Sequence, residues 1–233
     1  MTGMYTDFAR FYDVVQGGTP EMFAGWIQRR VADLDHPVGA VLELGCGTGS
    51  VLELLPAAWR KVGVDVSPEM LGIARIKGVD AELVEADIRS ASLDRTFDLV
   101  VCVYDTINHV PGDDWIRVFA VAAQHLAADG VFLFDMNSLG RLRADAGVVH
   151  TETSDDATVT IRIDDVGDDR FDWHVRIEGD HDVVDETIVE YGVALIEVRR
   201  MLADAGFTRV DVSGGRGHPV DDSTPRLFFT CRR

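Results

Sequence analysis

Val41-Leu42-Glu43-Leu44-Gly45-Cys46-Gly47-Thr48-Gly49-Ser50 runs a short apolar strand straight into a glycine-rich turn, with one carboxylate just ahead of it. Glycines at 45, 47 and 49 allow positive φ and let the backbone come close to a ligand, which a Cβ would obstruct. A dinucleotide fingerprint, G-x-G-x-x-G, would need its third glycine at position 50, where this chain has Ser50. The spacing is G-x-G-x-G instead. Glu43 adds a charge argument: it would sit badly beside a pyrophosphate and suits a ligand carrying an amino group and a sulfonium. The stretch therefore predicts a nucleotide-type cofactor with cationic groups at its turn end.

Neighbouring signals fall at fitting distances. Lys61-Val62-Gly63-Val64-Asp65 is a second strand, ending in a carboxylate 20 residues after Gly45. At that separation an acid can accept both hydroxyls of a ribose, a feature that by itself suits NAD equally well. Ser67 can cap a helix that has Pro68 at its first position, with Met70 projecting back toward the cleft. Residues 81–86 form a third strand that delivers Asp87 and Ile88, and residues 97–103, apolar but for Asp98, form a fourth that leads to Tyr104 and Asp105. Three successive strand ends thus carry acids.

Taken together and in this order, Glu43-Leu44-Gly45-Cys46-Gly47-Thr48-Gly49, Asp65-Val66-Ser67-Pro68-Glu69-Met70 and Ala86-Asp87-Ile88 resemble the motifs of class I S-adenosylmethionine-dependent methyltransferases. Tyr5-x-x-x-Ala9-x-x-Tyr12-Asp13 and Phe132-Leu133-Phe134-Asp135-Met136-Asn137-Ser138 resemble one small-molecule branch of that family, which includes amino-sugar N-methyltransferases. The resemblance runs from Tyr5 to the final strand and weakens between about residues 140 and 192. It implies that Glu43 and the Gly45, Cys46, Gly47 and Gly49 turn hold the methionine part of the cofactor. Asp65 and Val66 would take the ribose, Met70 and Ile88 would sandwich the adenine, and Asp87 would accept its exocyclic amine. Cys102 completes the cofactor wall, with Tyr5 and Tyr12 closing over it.

For the methyl acceptor, the resemblance places Tyr104, Asp105, Asn108 and Asn137 at the pocket. A hydroxyl acceptor must lose its proton during attack, whereas an amine needs only to arrive neutral. His109, His150 and His174 are the histidine candidates for a base. His109 leads because it follows the end of the fourth strand, and Tyr104 is the second catalytic candidate. Relatives often carry a histidine in the last strand of the late insertion, where this chain reads Asp185-Glu186-Thr187. No metal is needed for the displacement.

Composition narrows the function classes. At 233 residues and 46% hydrophobic content the chain suits one α/β domain with an insertion. Three cysteines, at 46, 102 and 231, form no C-x-x-C pair, which points to a reduced compartment, with Cys46 a small packing residue. A net charge of −18 argues against nucleic acid, because a phosphate backbone would be repelled over most of the surface. No apolar run approaches a membrane span and the amino end lacks a basic-then-apolar signal, so the expectation is a cytoplasmic monomer or homodimer without membrane partners. Lysine occurs only at 61 and 77. Abundant Asp with scarce Lys suits a high-salt habitat, and a GC-rich genome would also favour Arg over Lys.

The expected architecture is a doubly wound, mostly parallel seven-stranded sheet, the Rossmann-like methyltransferase fold, built from residues 1–148 and 192–233. An entrance helix spans 20–34, with Met22, Trp26 and Ile27 on its apolar face. The next helix spans 113–127 and exits at Asp129-Gly130 into a fifth strand over 131–135. Residues 149–191 alternate as Val159-x-Ile161-x-Ile163 and Phe171-x-Trp173-x-Val175-x-Ile177, which predicts an antiparallel β insertion, read as a lid over the acceptor pocket. A helix over 197–205 ending at Gly206 and strands over 208–212 and 226–231 close the sheet. Gly214-Gly215-Arg216-Gly217 is a loop, since no helix follows it to make a phosphate cradle.

The expected function is transfer of a methyl group from S-adenosylmethionine to nitrogen or oxygen of a small molecule, leaving S-adenosylhomocysteine. Two rivals remain at this level. A dinucleotide-dependent oxidoreductase would share the sheet and Asp65, against Ser50 and Glu43. A non-catalytic S-adenosylmethionine-binding partner subunit would keep the glycine turn without a competent acceptor pocket.

Overall fold

The computed structural model describes residues 12–13, 18–153, 157–179, 183–214 and 220–233. Tyr5 and residues 215–217 of the glycine loop lie outside the described residues. In chain order, α1 (Thr19–Ala32) precedes β1 (Ala40–Leu44), α2 (Ser50–Leu54), β2 (Arg60–Asp65), α3 (Pro68–Lys77), β3 (Glu82–Glu85), β4 (Phe97–Cys102), α4 (Trp115–His125) and β5 (Leu126–Asn137). Then follow α5 (Leu139–Asp145), β6 (Val149–Thr153), β7 (Ala157–Gly167), β8 (Arg170–Gly179), β9 (Val183–Tyr191), α6 (Leu195–Asp204), β10 (Arg209–Ser213) and β11 (Arg226–Arg232).

Burial on both faces explains the centre of the sheet. In β1, Leu42 and Leu44 enter one core and Val41 the other; in β4, Val100 and Cys102 oppose Leu99 and Val101 in the same way. Near-continuous apolar runs of this kind are what parallel strands under helices on both faces require. The first core takes the apolar stripes of α4 and α6, and the second takes α1, α2 and α3. The strand order is β10-β11-β5-β4-β1-β2-β3. β1 through β5 pair in parallel, and β11 enters antiparallel between β5 and β10. This is the doubly wound, mostly parallel seven-stranded sheet the sequence predicts. Ligands of such sheets sit beyond the carboxyl ends of the strands, where β1, β2, β4 and β5 here end at Leu44, Asp65, Cys102 and Asn137.

The expected antiparallel insertion is a separate four-stranded sheet, ordered β6-β7-β8-β9. Along β8, Phe171, Val175 and Ile177 are buried while Arg176 and Glu178 are exposed. The buried side packs with Val184 and Ile188 of β9, Tyr12 of the amino-terminal segment, and Leu139 and Leu142 of α5.

Three local expectations are corrected. In α1 the buried stripe is Phe23, Ala24 and Ile27, while Met22 is 45% exposed, because the register of the helix turns that side chain outward. The helix expected over 113–127 is shorter: a 3₁₀ turn at Gly112–Asp114 precedes it, and it stops at His125. The buried His125 ring bonds the Val121 carbonyl at 2.7 Å and accepts the Leu93 N–H at 2.9 Å, anchoring the helix end to the loop before β4. Asp129-Gly130 consequently lies inside β5, which begins at Leu126. A Cβ at Gly130 would stand 3.1 Å from both the Ala127 and Phe97 carbonyl oxygens, where the β4–β5 register shifts.

Candidate cofactor and acceptor site

The turn after β1 is built as its glycines predict. Gly45, Gly47 and Gly49 have φ of 76°, 51° and 74°, a region in which a side chain is costly. The N–H groups of Gly45 and Cys46 donate to the Val64 carbonyl at 2.7 and 3.0 Å, tying the turn to the end of β2. Cys46 is a packing residue, as expected. A Cβ on Gly63 would meet its sulfur at 2.6 Å, and burial raises its thiol well above the ordinary range.

Two acids stand at this turn in different states of satisfaction. Asp65 accepts the Gly47 N–H at 2.8 Å through one oxygen and the Ser67 N–H at 2.9 Å through the other. Burial raises its carboxyl, and those amides work against the rise. The Val66 N–H is a third amide partner, and with about four lone-pair positions on a carboxylate one remains for a ribose hydroxyl. Glu43 is 2% exposed and its Oε2 is buried with no hydrogen-bond partner. Burial, then the Asp65 charge, pushes its carboxyl well above the usual range. An orphaned buried carboxylate oxygen beside a glycine turn fits a ligand ammonium or sulfonium and is a poor neighbour for a phosphate.

Asp13 is clasped onto the turn. Asp13 accepts the Thr48 hydroxyl at 2.5 Å, the Ser50 hydroxyl at 3.1 Å and the Lys77 ammonium at 2.8 Å. Burial works to raise the Asp13 carboxyl, but these partners outweigh it and hold it below its ordinary value. Tyr12 lies over Gly47, 3.8 Å from where a Cβ would stand, and also packs against the insertion's buried side.

On the adenine side, Ser67 accepts the Met70 N–H at 3.2 Å, the expected cap. Met70 and Ile88 are buried, and Val66 is 43% exposed at the strand end. Asp87 is held by Arg89, which bonds both its oxygens and also bridges to Asp114 at 2.7 Å. Arg89 keeps the Asp87 carboxyl below its usual range. Cys102 is fully buried in the core behind the site, its thiol raised by burial.

At the exit of β4, Tyr104 and Asp105 take left-handed φ of 68° and 48°, uncommon for side-chain-bearing residues. The turn sends them in different directions. The Tyr104 ring packs 4.8 Å from Phe23 of α1, and burial raises its hydroxyl to about 12. Asp105 turns to Arg226 at the start of β11, accepting from Nη2 at 2.6 Å. Burial works to raise the Asp105 carboxyl, and Arg226 and His109 outweigh that, leaving it lowered.

Asn137 donates through one amide nitrogen to Asp105 and to Glu190 of β9, both at 3.1 Å. Asn108, expected at the substrate, is fully buried and bonded to backbone at three points: the Asn137 and Tyr191 carbonyls and the Asn137 N–H. It braces β5 against β9. His109 bonds the Val189 carbonyl through Nδ1 at 3.0 Å and lies close enough to Asp65 and Asp105 to lower both. Since a carbonyl only accepts, Nδ1 carries a proton. The other two histidines stand apart: His150 is exposed on β6, and His174 faces Asp164 and Thr187 on the outward side of β8.

Glu190, Asp135 and Arg226 are the site residues the sequence did not single out. They come from β9, β5 and β11, and only the folded sheets bring them together.

Residues 41–130 match the family described as Methyltransferase domain. Over 55% of this chain and 52% of its own length, the dTDP-3-amino-3,6-dideoxy-alpha-D-glucopyranose N,N-dimethyltransferase of Streptomyces fradiae is 33% identical. A S-adenosylmethionine-dependent methyltransferase of Clostridium acetobutylicum superposes with a TM-score of 0.84 at 23% identity, covering 98% of each chain. The sugar N-methyltransferase KedS8 of a Streptoalloteichus species gives a TM-score of 0.72 at 26% identity, over 95% of this chain and 92% of its own. The chain has the class I S-adenosylmethionine-dependent methyltransferase fold, and it is related to the amino-sugar and antibiotic N-methyltransferases.

Proposed function

We propose that this chain transfers the methyl group of S-adenosylmethionine to nitrogen or oxygen of a small, sugar-like molecule. The observation that carries the reading is Glu43, a buried carboxyl with an orphaned oxygen at the glycine turn, beside Asp65 with a lone pair left for a ribose hydroxyl. The relatives' names supply the acceptor class, because one acts on an amino sugar nucleotide and another on a sugar nitrogen.

S-adenosylmethionine supplies a methyl group already activated by positive sulfur, so the protein's task is alignment and exclusion of water. Glu43 and the turn from Gly45 to Gly49 hold the methionine end, and Asp65 with Val66 holds the ribose. Met70 and Ile88 flank the adenine, with Asp87 and its partner Arg89 at the rim and Cys102 behind. Tyr12, fixed by its neighbour Asp13, and Tyr5 cover the cofactor. Tyr104, Asp105 and Asn137 line the acceptor side, Asn108 braces it, and His109 stands between the ribose acid and the acceptor acids. Residues 149–191 act as the lid. The protein works without a metal, a nucleic acid or a membrane, in the cytoplasm, as a monomer or homodimer. Within the described residues no helix is long and apolar enough to cross a membrane.

The test is incubation with methyl-labelled S-adenosylmethionine and a panel of amino and hydroxy sugars, free and as nucleotide conjugates. Label should appear as a new N-methyl or O-methyl group together with S-adenosylhomocysteine. Tight cofactor binding with no label leaving it on any acceptor would favour the non-catalytic partner subunit.

A further inference from the structure

The insertion carries one buried donor that the fold leaves unused. Trp173, in β8, is partly buried, and its Nε1 is, among the described residues, the buried side-chain nitrogen left without a hydrogen-bond partner. The fold can satisfy such a group elsewhere: the buried Trp115 ring donates its N–H to the Val110 carbonyl at 2.9 Å. An indole nitrogen only donates, and a buried N–H without an acceptor costs the folded protein free energy. The body of the Trp173 ring bridges the two apolar clusters of the insertion, one holding Val184, Ile188 and Tyr12 and the other Leu139 and Leu142 of α5. That packing uses the ring and not its N–H, so Phe would serve it equally.

The strand ladder places this donor at the acceptor end of the cleft. Trp173 stands opposite Ile163 on β7 and Ile188 on β9, and Phe171 stands opposite Glu190. Glu190, two residues beyond Ile188, is therefore a diagonal neighbour of Trp173 on the same inward face, roughly 7–8 Å away along the ladder. Its carboxyl accepts the Asn137 amide at 3.1 Å, where β5 ends. On the other flank Tyr12, which shares a cluster with Trp173, lies over Gly47 of the glycine turn. A large ring with one orphaned donor in this position offers a sugar-like molecule an apolar face for its C–H groups and a donor for one of its oxygens. We propose that Trp173 is a specificity-determining residue for the methyl acceptor, donating through Nε1 to a hydroxyl or ring oxygen of that molecule. The inference rests on the methyltransferase reading and adds to it a contact with an atom other than the one methylated. Being a hydrogen bond, the contact places the acceptor and takes no part in bond making.

Nitrogen-15 labelling of the indoles gives N–H signals from Trp26, Trp59, Trp115 and Trp173, and Trp173→Phe identifies the last by its loss. The probe is 1,5-anhydroglucitol, a neutral pyranose with hydroxyls and no amine, titrated by NMR into protein saturated with S-adenosylhomocysteine. The Trp173 indole proton should move downfield along a saturable curve, while the Trp115 signal, already bonded to Val110, stays in place. Trp173→Phe keeps a ring and deletes the donor, so it should weaken probe binding about fivefold or more and leave S-adenosylhomocysteine affinity unchanged. Without the probe the same variant should melt no lower than wild type, because it removes an unsatisfied donor. A Trp173 signal that does not respond overturns the proposal, as does a variant that binds the probe within about twofold of wild type. A variant that melts well below wild type without ligand shows that the N–H already has a partner inside the protein, and equally overturns it. If S-adenosylhomocysteine itself fails to bind the wild type, the methyltransferase reading has failed first.

Discussion

Replacing Glu43 with Gln removes a charge and almost nothing else. The side chain is 2% exposed, its Oε2 has no partner, and its carboxyl is pushed well above the ordinary range by burial and by Asp65. In the protein alone, that carboxyl is held toward its neutral form. The ammonium and sulfonium of the cofactor would restore the charged form, so binding near neutral pH should release a proton. Gln keeps the volume and one acceptor but cannot make a charge-assisted bond. The loss of ~1.5–3 kcal/mol typical of such a bond corresponds to a dissociation constant about 10- to 150-fold weaker. Stability should move the other way. A carboxyl raised in the folded state contributes stability at pH below its unfolded value, and that contribution is lost as pH rises through the raised one. The cofactor-free variant should therefore match wild type in acid and melt higher at neutral and alkaline pH. Calorimetric titration with S-adenosylmethionine in buffers of different ionisation enthalpy reads affinity and proton release together, and melting curves across pH read the stability. An affinity within about twofold of wild type, with no change in proton release, would refute the placing of Glu43 at the cofactor's cationic end.

Asp65→Ala should weaken S-adenosylhomocysteine binding by much of ~1.5–3 kcal/mol, read by calorimetry; unchanged affinity would show the ribose is elsewhere. Replacing residues 149–191 with a short Gly/Ser linker removes Glu190 and the Val189 and Tyr191 carbonyls that hold His109 and Asn108. Provided the core folds, cofactor binding should survive and methyl transfer vanish, and full transfer in that variant would refute the lid. With a net charge of −18, the melting temperature should climb as KCl goes from dilute to molar, because self-repulsion is screened first. A flat response would leave genome composition as the reason for scarce lysine.

The cofactor half was legible because its signals are local. A strand, three glycines and the next strand's terminal acid lie within 25 residues, Val41 to Asp65, and each has a backbone reason to be where it is. The acceptor half was less so. Asp105 and Arg226 are 121 residues apart in sequence, and Glu190 reaches Asn137 across 53. A signal was present in β5, where Asp135 and Asn137 interrupt an apolar strand on alternate positions, the mark of polar groups sharing one face. The sequence places Asn137 at the acceptor, and the fold adds that its amide bridges Asp105 and Glu190. Arg226 opens an apolar strand, and nothing in its own neighbourhood says which acids it will face. The two lysines show the same limit. Lys61 is buried, donating to the Leu52 and Leu55 carbonyls at the end of α2, and Lys77 fastens Asp13. Scarcity said nothing of where either would be used. The misplaced end of α4 has a tertiary cause, the His125 bond to Leu93, which overrides a helical pattern that continues past it.

Direct titration of S-adenosylhomocysteine against NAD, each into the untreated protein by calorimetry, tests the central claim most simply. The account predicts one saturable site for S-adenosylhomocysteine, weakened by Glu43→Gln and Asp65→Ala, and no heat of binding for NAD. Binding of NAD at that site, with S-adenosylhomocysteine unable to compete, would contradict it.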